Sequence, residues 1–228
     1  MERMTIDLSQ YLHNAFPGLT LAPSLYYQWD IGIHFELGAG IYQLKNDGSL
    51  NLEMFDCVYS QALSIFNELF SDLDEIFLVT NVYQHRSDEI KKKRTKVYDR
   101  YIKNKDLKFR LRQETLPYVF DDEDADDYYT SRFSLRCRKQ DFKYPLLIKA
   151  ACNEDFPLKP RLDKKWGSGS NYPDVFFINM TKNVIFFIYD DRGCEVIATN
   201  KETIYPLYKK YGDWIDEYSL EEIVKRFK

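Results

Sequence analysis

The sequence has no long apolar run and few cysteines among its 228 residues. No stretch approaches the ~20 apolar residues that span a bilayer, and residues 1–16 lack the uninterrupted apolar core of a signal peptide. The four cysteines are scattered, without a CxxC pair or a histidine at ligand spacing, which favours reduced thiols over a disulfide framework. These absences predict a cytoplasmic protein that does not contact a membrane.

The signatures of common nucleotide, zinc-protease and hydrolase sites are also absent. None of GxGxxG, GxxxxGK[ST], HExxH or GxSxG occurs, and the Gly-Ser repeat at 167–170 lacks the lysine and helix start that a phosphate loop needs. The net charge of −4 gives no global bias towards nucleic acid or membrane. We therefore predict no cofactor and no metal site.

What the chain does have is the composition of a globular protein, with 44% apolar and 30% charged residues. Apolar residues from Met54 to Leu73 recur at helical spacing, whereas the run Ile76–Val79 has no polar face and indicates a strand covered on both sides. Further helices are expected at Ser87–Lys105 and Asp141–Asn153, and three strands within residues 175–199.

Strands interrupted by helices, with connections that are often of hairpin length, predict an α+β fold. We expect a single domain over residues 1–228, with a central, mainly antiparallel sheet and helices packed against it. Residues 156–173 contain three prolines and a Gly-Ser repeat, and are expected to form a long loop. Residues 114–127 hold seven anions and no cation, and are expected to form an acidic loop.

Two segments alternate strictly between apolar and mainly polar or cationic residues, as half-buried strands do. In the first, Leu107, Phe109 and Leu111 face one way, and in the second Phe133 and Leu135 do so. If these strands pair, six cations share one sheet face, where like charges opposed across a ladder are unfavourable. Such a face favours an anion, and the predicted anion-binding residues are Lys108, Arg110, Arg112, Arg132, Arg136 and Arg138.

The acidic residues between these two segments could themselves bind a basic partner. Tyr118 and Tyr129 would serve as aromatic anchors beside them, since tyrosine suits an interface that is partly apolar and partly wet. A solvated, self-neutralised surface is the structural alternative, because charge runs are commonly solvated. The predicted partner-binding residues are Asp121, Asp122, Glu123, Asp124, Asp126, Asp127 and Tyr128.

Candidate catalytic residues lie in two places. His34 and Glu36 share one face of a strand, about 7 Å apart by strand geometry, and with a carboxylate from elsewhere they could hold a metal or act as an acid–base pair. A polar pair that bridges the sheet and a helix is the structural alternative. Asp190 and Asp191 lie in the string YDDRG and could act as a base or metal ligand. A turn explains the same string without chemistry, with Asp190 closing an Asx turn and Gly193 in the left-handed region.

The chain resembles, over nearly its full length, a family from Bacillus-like bacteria described only as a domain of unknown function. The resemblance lies in WDIGIHFELG at Trp29–Gly38, in YDDRGCEVIA at Tyr189–Ala198, and in the order of elements between them. No catalytic residue comes with it. Some members of that family lie near polymorphic-toxin genes, which implies an immunity protein that binds and blocks a toxin.

The leading hypothesis is a non-enzymatic protein-binding module of the toxin-immunity type, which meets a basic partner by charge complementarity. The alternative is an enzyme or sensor for a phosphorylated ligand or nucleic acid held by the arginine-rich sheet face. A concave pocket that joins the arginines to the candidate catalytic residues would favour the enzyme, and a convex surface would favour the binder.

Overall fold

The computed structural model describes residues 7–87, 95–120, 123, 125–162 and 172–227. Its strands are β1 (Gly32–Glu36), β2 (Ile76–His85), β3 (Arg112–Pro117), β4 (Tyr128–Cys137), β5 (Asp174–Asn179), β6 (Val184–Ile188) and β7 (Gly193–Ala198). They form one sheet in the order β1-β7-β6-β5-β2-β4-β3, and every neighbouring pair is antiparallel. The predicted α+β fold with a central antiparallel sheet is confirmed.

Helices precede, interrupt and follow the strands. They are α1 (Leu8–Ala15), α2 (Leu25–Gln28), α3 (Leu52–Leu69), α4 (Val97–Tyr101), α5 (Tyr144–Cys152), α6 (Lys201–Lys210) and α7 (Glu217–Phe227). The first begins at Asp7, whose carboxylate accepts a hydrogen bond from the Gln10 backbone N–H at 2.8 Å, and so satisfies one of the free amides of the first turn. Pro145 lies in the first turn of α5, where no amide donor is needed.

The sheet is buried on both faces, because its central strands carry apolar residues on both sides. On one face, Phe66 of α3 packs against Phe177 of β5 with ring centroids 5.3 Å apart. On the other face, Leu12 of α1 joins Phe176 and Phe187, whose rings stack across β5 and β6 at 4.7 Å. Two separate apolar cores therefore share one sheet.

The two edges of the sheet are treated differently. The C-terminal segment covers β1, since the Asp216 backbone N–H donates to the carbonyl of His34 at 3.0 Å and Ile215 bridges to Phe35. At the opposite edge, β3 is short, half-exposed, charged and closed by Pro117. Charge and proline are common at edge strands because they discourage pairing with another chain.

The first of the two alternating segments is not a strand. Residues Lys105–Arg110 form a 3₁₀ helix. It is capped by Asn104, whose side chain accepts a hydrogen bond from the Asp106 backbone N–H. Phe109 is 90% exposed, so the alternation does not reflect a buried face. The strand begins only at Arg112, and β3 therefore takes residues 114–117 of the predicted acidic loop.

Two other predicted segments are only partly described. The helix expected at Ser87–Lys105 is present only as α4 within its described part, while residues 88–94 lie outside the described residues. Of the expected loop at 156–173, residues 156–162 and 172–173 contain neither helix nor strand, and residues 163–171 lie outside the described part.

Candidate functional site

An open cleft of about 1090 Å³ lies beside the C-terminal end of β4. Its walls come from the start of α1, the end of the 3₁₀ helix, the first residue of β3 and the turn after β5. Four of the six predicted anion-binding residues line this cleft, which we call the arginine cleft: Arg110, Arg112, Arg136 and Arg138.

Strand register explains why these arginines converge. Arg112 of β3 lies opposite Ser134 of β4, so Arg136 is its diagonal neighbour on the same sheet face. Arg138 follows directly after β4, and Arg110 ends the 3₁₀ helix that leads into β3. The cations therefore come from the ends of three elements that the β3–β4 pairing holds together.

Among the described residues, carboxylates form ion pairs with two of the four guanidinium groups of the arginine cleft. Glu75 contacts the Arg136 Nη2 atom at 2.5 Å, and Asp7 lies 3.8 Å from the Arg112 Nη1 atom. Arg110 and Arg138 are exposed and form no ion pair with any residue that the structure describes. Two open guanidinium groups in a concave site are a natural place for an anion.

The other two predicted anion-binding residues do not line the cleft. Lys108 pairs with the Asp99 carboxylate at 3.0 Å. Arg132 is only 9% exposed and donates to Asn81 Oδ1 at 3.1 Å and to the Leu21 carbonyl at 3.4 Å. Burial lowers the pKa of the Arg132 guanidinium. The expectation of six cations on one open face is wrong for Arg132, because the segment before α2 covers that part of the sheet.

Part of the rest of the cleft is apolar. Tyr11, Phe77, Leu107 and Met180 contribute to its lining, so a ligand could place an apolar body beside its anionic group. Tyr11 and Met180 were not predicted as site residues. Nothing in their local sequence marks them, since only the folding of α1 and of the turn after β5 over the sheet brings them here.

Part of the predicted partner-binding segment is visible at the opposite end of β4. Glu123, Asp126 and Asp127 are exposed, whereas Asp121, Asp122 and Asp124 lie outside the described residues. Tyr128 stacks on Tyr118 with ring centroids 5.1 Å apart and meets the edge of His85 at 5.0 Å.

The second tyrosine proposed as an anchor is not available to a partner. Tyr129 is buried, and its hydroxyl hydrogen-bonds to Gln84 Oε1 at 3.0 Å. Its side chain therefore stabilises the pairing of β2 with β4, where the two residues face each other.

His34 lies in a polar contact at the β1 edge rather than in an open site. Its Nε2 atom is 2.9 Å from the Tyr189 hydroxyl, and its Nδ1 atom is 3.6 Å from a carboxylate oxygen of Asp216. Burial lowers the pKa of His34, while the Asp216 charge opposes that shift. Glu195, its neighbour across the β1–β7 ladder, is buried, which raises the pKa of that carboxyl to about 7.

Asp190 and Asp191 lie in the turn between β6 and β7, and both are buried. Asp190 accepts from the Arg192 backbone N–H at 2.7 Å and from its Nε at 2.9 Å, while Asp191 accepts from Gln43 at 3.0 Å. Gly193 belongs to β7 and does not adopt a positive φ, so the expected left-handed residue is wrong.

A glycine is needed at position 193 for space. A Cβ atom there would meet the Tyr189 hydroxyl and would lie 2.6 Å from the carbonyl of Phe35. The close approach of β1 and of the Tyr189 ring, rather than the turn, therefore requires the missing side chain.

A separate group of carboxyls surrounds the start of β5. The Tyr83 hydroxyl donates to the Asp174 carboxylate, and burial raises the pKa of Asp174 to about 7. Burial, followed by the charge of Asp174, raises the pKa of Glu154 to about 8. Among the residues described, no set of three histidines, cysteines or carboxylates is placed to hold a metal ion.

The arginine cleft and the candidate catalytic residues lie at opposite corners of the sheet. β1 and β4 are five strand positions apart, which corresponds to about 24 Å at the usual strand spacing. Glu36 instead lines a second, smaller pocket of about 300 Å³ together with Arg192. Neither of these two concave sites joins the arginines to His34, Asp190 or Asp191, and Glu36 and the arginine cleft are in different sites; a joined pocket was the feature expected of the enzyme.

Comparison with known proteins places the chain in a family. An uncharacterized protein of Bacillus subtilis (strain 168), YnaE, is 50% identical over 213 residues, which cover 93% of this chain and 99% of that protein. No solved structure matches the chain. Within the described part, no helix is long and apolar enough to cross a bilayer. Residues 8–219 match one family model, and the chain belongs to that family, Domain of unknown function (DUF3885).

Proposed function

We propose that this chain is a non-enzymatic binding protein whose arginine cleft holds the anionic group of a ligand. The observation that supports the proposal is the pair of guanidinium groups of Arg110 and Arg138, which open on the same concave site without a carboxylate partner among the described residues. Charge-assisted hydrogen bonds from arginine suit the oxygens of a phosphate or a carboxylate.

Binding rather than catalysis is favoured because His34 and Glu36, the candidate acid–base pair on β1, lie about 24 Å away across the sheet. The cleft itself offers Asp7, Glu75 and Asp141 as acidic groups. Each already has a partner: the first caps α1, the second contacts Arg136, and the third accepts from the Arg138 backbone N–H at 2.7 Å. These carboxylates shape the cleft and fix its arginines.

The leading hypothesis from the sequence placed the partner on the acidic segment. Its described carboxylates, Glu123, Asp126 and Asp127, are exposed, which is as typical of a solvated surface as of a binding one. The toxin-immunity role that would depend on that segment is therefore less favoured than binding at the cleft. The anionic ligand is therefore the proposal that the geometry favours.

Phenyl phosphate, benzoate and inorganic phosphate provide the test, because they separate the phosphate, the carboxylate and the apolar body. We expect phenyl phosphate to bind more tightly than inorganic phosphate in isothermal titration at low salt. Arg138→Ala should weaken binding about tenfold, the size of one lost charge-assisted hydrogen bond. Tighter binding of benzoate would instead assign a carboxylate ligand.

Lys108→Ala supplies the matched control, since it removes a nearby cation that pairs with Asp99 outside the cleft. The affinity of Lys108→Ala for phenyl phosphate should equal that of the unmodified protein. The proposal fails if none of the three probes binds at 10 mM, or if the two variants lose affinity equally.

A further inference from the structure

A second surface, independent of the arginine cleft, lies at the opposite corner of the sheet. The segment from the end of β1 to the first residue of α3 exposes four large apolar side chains within twelve residues, and Tyr42 among them is 82% exposed. We call these residues the apolar ridge: Ile41, Tyr42, Leu44 and Leu52. A group of exposed large apolar side chains in one segment is typical of interaction sites in proteins.

The apolar ridge is held in place by hydrogen bonds on both sides. The Lys45 backbone N–H donates to the Ser49 carbonyl, and the Asn51 backbone N–H to the Gln43 carbonyl, each at 2.8 Å. The Asn51 side chain also donates to the Tyr42 carbonyl at 3.1 Å. The ridge is therefore preorganised, which reduces the entropy that a partner must overcome on binding.

The connection is also tied to the body of the protein. The Gly38 backbone N–H donates to Gln61 of α3 at 2.7 Å, and the Gln43 side chain donates to Asp191 at 3.0 Å. Exposure of Tyr42 is thus a property of an ordered segment joined to both a helix and the β6–β7 turn.

Beside the ridge, Glu36 lines the smaller pocket of about 300 Å³, which Ile41, Tyr42 and Arg192 also line. The Arg192 guanidinium is bound by Asp190 through Nε and Nη2. Glu36 forms no ion pair or side-chain hydrogen bond with any described residue. The pocket therefore offers one uncommitted carboxylate beneath an apolar rim.

We propose that this pocket and the apolar ridge bind a protein segment that presents a lysine or arginine side chain between apolar residues. The cation enters the pocket beside Glu36, and the flanking apolar side chains cover Ile41 and Tyr42. Charge complementarity selects the cation, while burial of the tyrosine ring provides most of the affinity.

Two tripeptide amides, acetyl-Leu-Arg-Phe and acetyl-Leu-Glu-Phe, test this proposal on the ¹⁵N-labelled full chain by NMR. We expect the arginine peptide to shift the amide signals of Gly38, Gly40 and Tyr42, with millimolar affinity, and the glutamate peptide to leave them unchanged. Glu36→Gln should weaken binding of the arginine peptide about fivefold, and Tyr42→Ala should weaken it at least as much.

Tyr218→Ala is the matched control, because this tyrosine of α7 is 89% exposed and does not line the pocket. It should leave the affinity unchanged. The proposal is overturned if the arginine peptide causes no localised shifts at 10 mM, or if both peptides bind alike. It is also overturned if the protein dimerises at micromolar concentration and Tyr42→Ala abolishes the dimer, since the ridge would then bind a second copy. None of these outcomes depends on the arginine cleft.

Discussion

Burial shifts the pKa values of several carboxyl groups in this protein away from their usual range. Asp174 is the clearest case, because burial raises the pKa of its carboxyl to about 7 and Tyr83 donates a hydrogen bond to it. Burial also raises the pKa of Glu154 to about 8 and the pKa of Glu195 to about 7. A carboxyl whose pKa is raised on folding stabilises the fold fully below its unfolded pKa, and that contribution is lost as the pH rises through the folded pKa.

The folded state should therefore lose stability between about pH 4 and about pH 8. Asp174→Asn removes the titrating group while its side-chain oxygen can still accept from Tyr83. We expect the loss of unfolding free energy between pH 5 and pH 8.5 to be smaller in Asp174→Asn than in the unmodified protein, by roughly 2 kcal/mol. Urea unfolding at several pH values measures this difference.

Asp127→Asn serves as the control for that experiment, since Asp127 is an exposed carboxylate at the same end of the sheet as Asp174. Its pH dependence should follow that of the unmodified protein. A pH dependence that Asp174→Asn leaves unchanged would show that Asp174 is ionised in the folded protein at pH 5.

At the same scale, the sequence predicts charge but not exposure. The alternation in β4 correctly separates Arg136 from Phe133, yet it assigns Arg132 to the same open face as Arg136. Only the covering segment before α2, whose Leu21 carbonyl accepts from Arg132, decides that one arginine is buried and the other borders a cleft. Such contacts depend on residues more than a hundred positions apart.

At the scale of elements, the β1–β7 pair depends on one missing side chain. A methyl group at Gly193 would overlap the Tyr189 hydroxyl and crowd the Phe35 carbonyl. β1 contributes Glu36 to the smaller pocket, and Glu36 lies directly opposite Gly193 in the ladder. A change at Gly193 therefore disturbs the sheet edge and not only a turn.

Gly193→Ala should destabilise the protein by about 3 kcal/mol, as overpacking of a tight site does. Gly212→Ala is the control, because no atom lies within 4 Å of a Cβ atom built there, and its effect should be small. Thermal and urea unfolding compare the two variants. Equal stability of both would show that the strands adjust without cost.

Tyr189→Phe added to Gly193→Ala should recover part of the loss, measured against Tyr189→Phe alone. The hydroxyl is removed in the double variant, whereas the contact with the Phe35 carbonyl remains. If the double variant recovers none of the lost unfolding free energy, the strain lies entirely at the Phe35 carbonyl.

Elements with a strong apolar pattern were predictable, and elements without one were not. The helix α3 buries one face, and its sequence shows one apolar stripe at helical spacing. The strand β2 is buried on both faces, and its sequence shows a continuous apolar run. By contrast, Lys105–Arg110 alternates like a strand although Phe109 is exposed, and β3 has no apolar alternation because it lies at the edge. Two of the four arginines of the arginine cleft, Arg110 and Arg112, come from these two segments, which is why its shape could not be derived from the sequence.

At the scale of the whole molecule, a single sheet links two apolar cores. Leu12 belongs to the core under α1, and Ile65 to the core under α3. The strands between them contribute alternate residues to each core. Disruption of one core therefore also disturbs the strands that line the other. This arrangement predicts one cooperative unfolding unit in the sense used for single domains.

Leu12→Ala and Ile65→Ala should each cost about 2–5 kcal/mol, the usual range for such truncations in a core. Because the sheet is shared, far-UV circular dichroism and tryptophan fluorescence should report the same urea midpoint within each variant. In both variants that midpoint should be lower than in the unmodified protein. Trp29 packs against one core and Trp214 against the other, so the fluorescence signal covers both. Two separate transitions in either variant would contradict a single unit.

The placement of the arginine cleft and the Glu36 pocket at opposite corners of the sheet has a steric consequence. A ligand at the β4 end and a polypeptide at the β1 end do not compete for space, because the full width of a rigid, doubly covered sheet separates them. If both proposals hold, the molecule can carry an anion and a cationic protein at the same time and act as a fixed-length bridge between them.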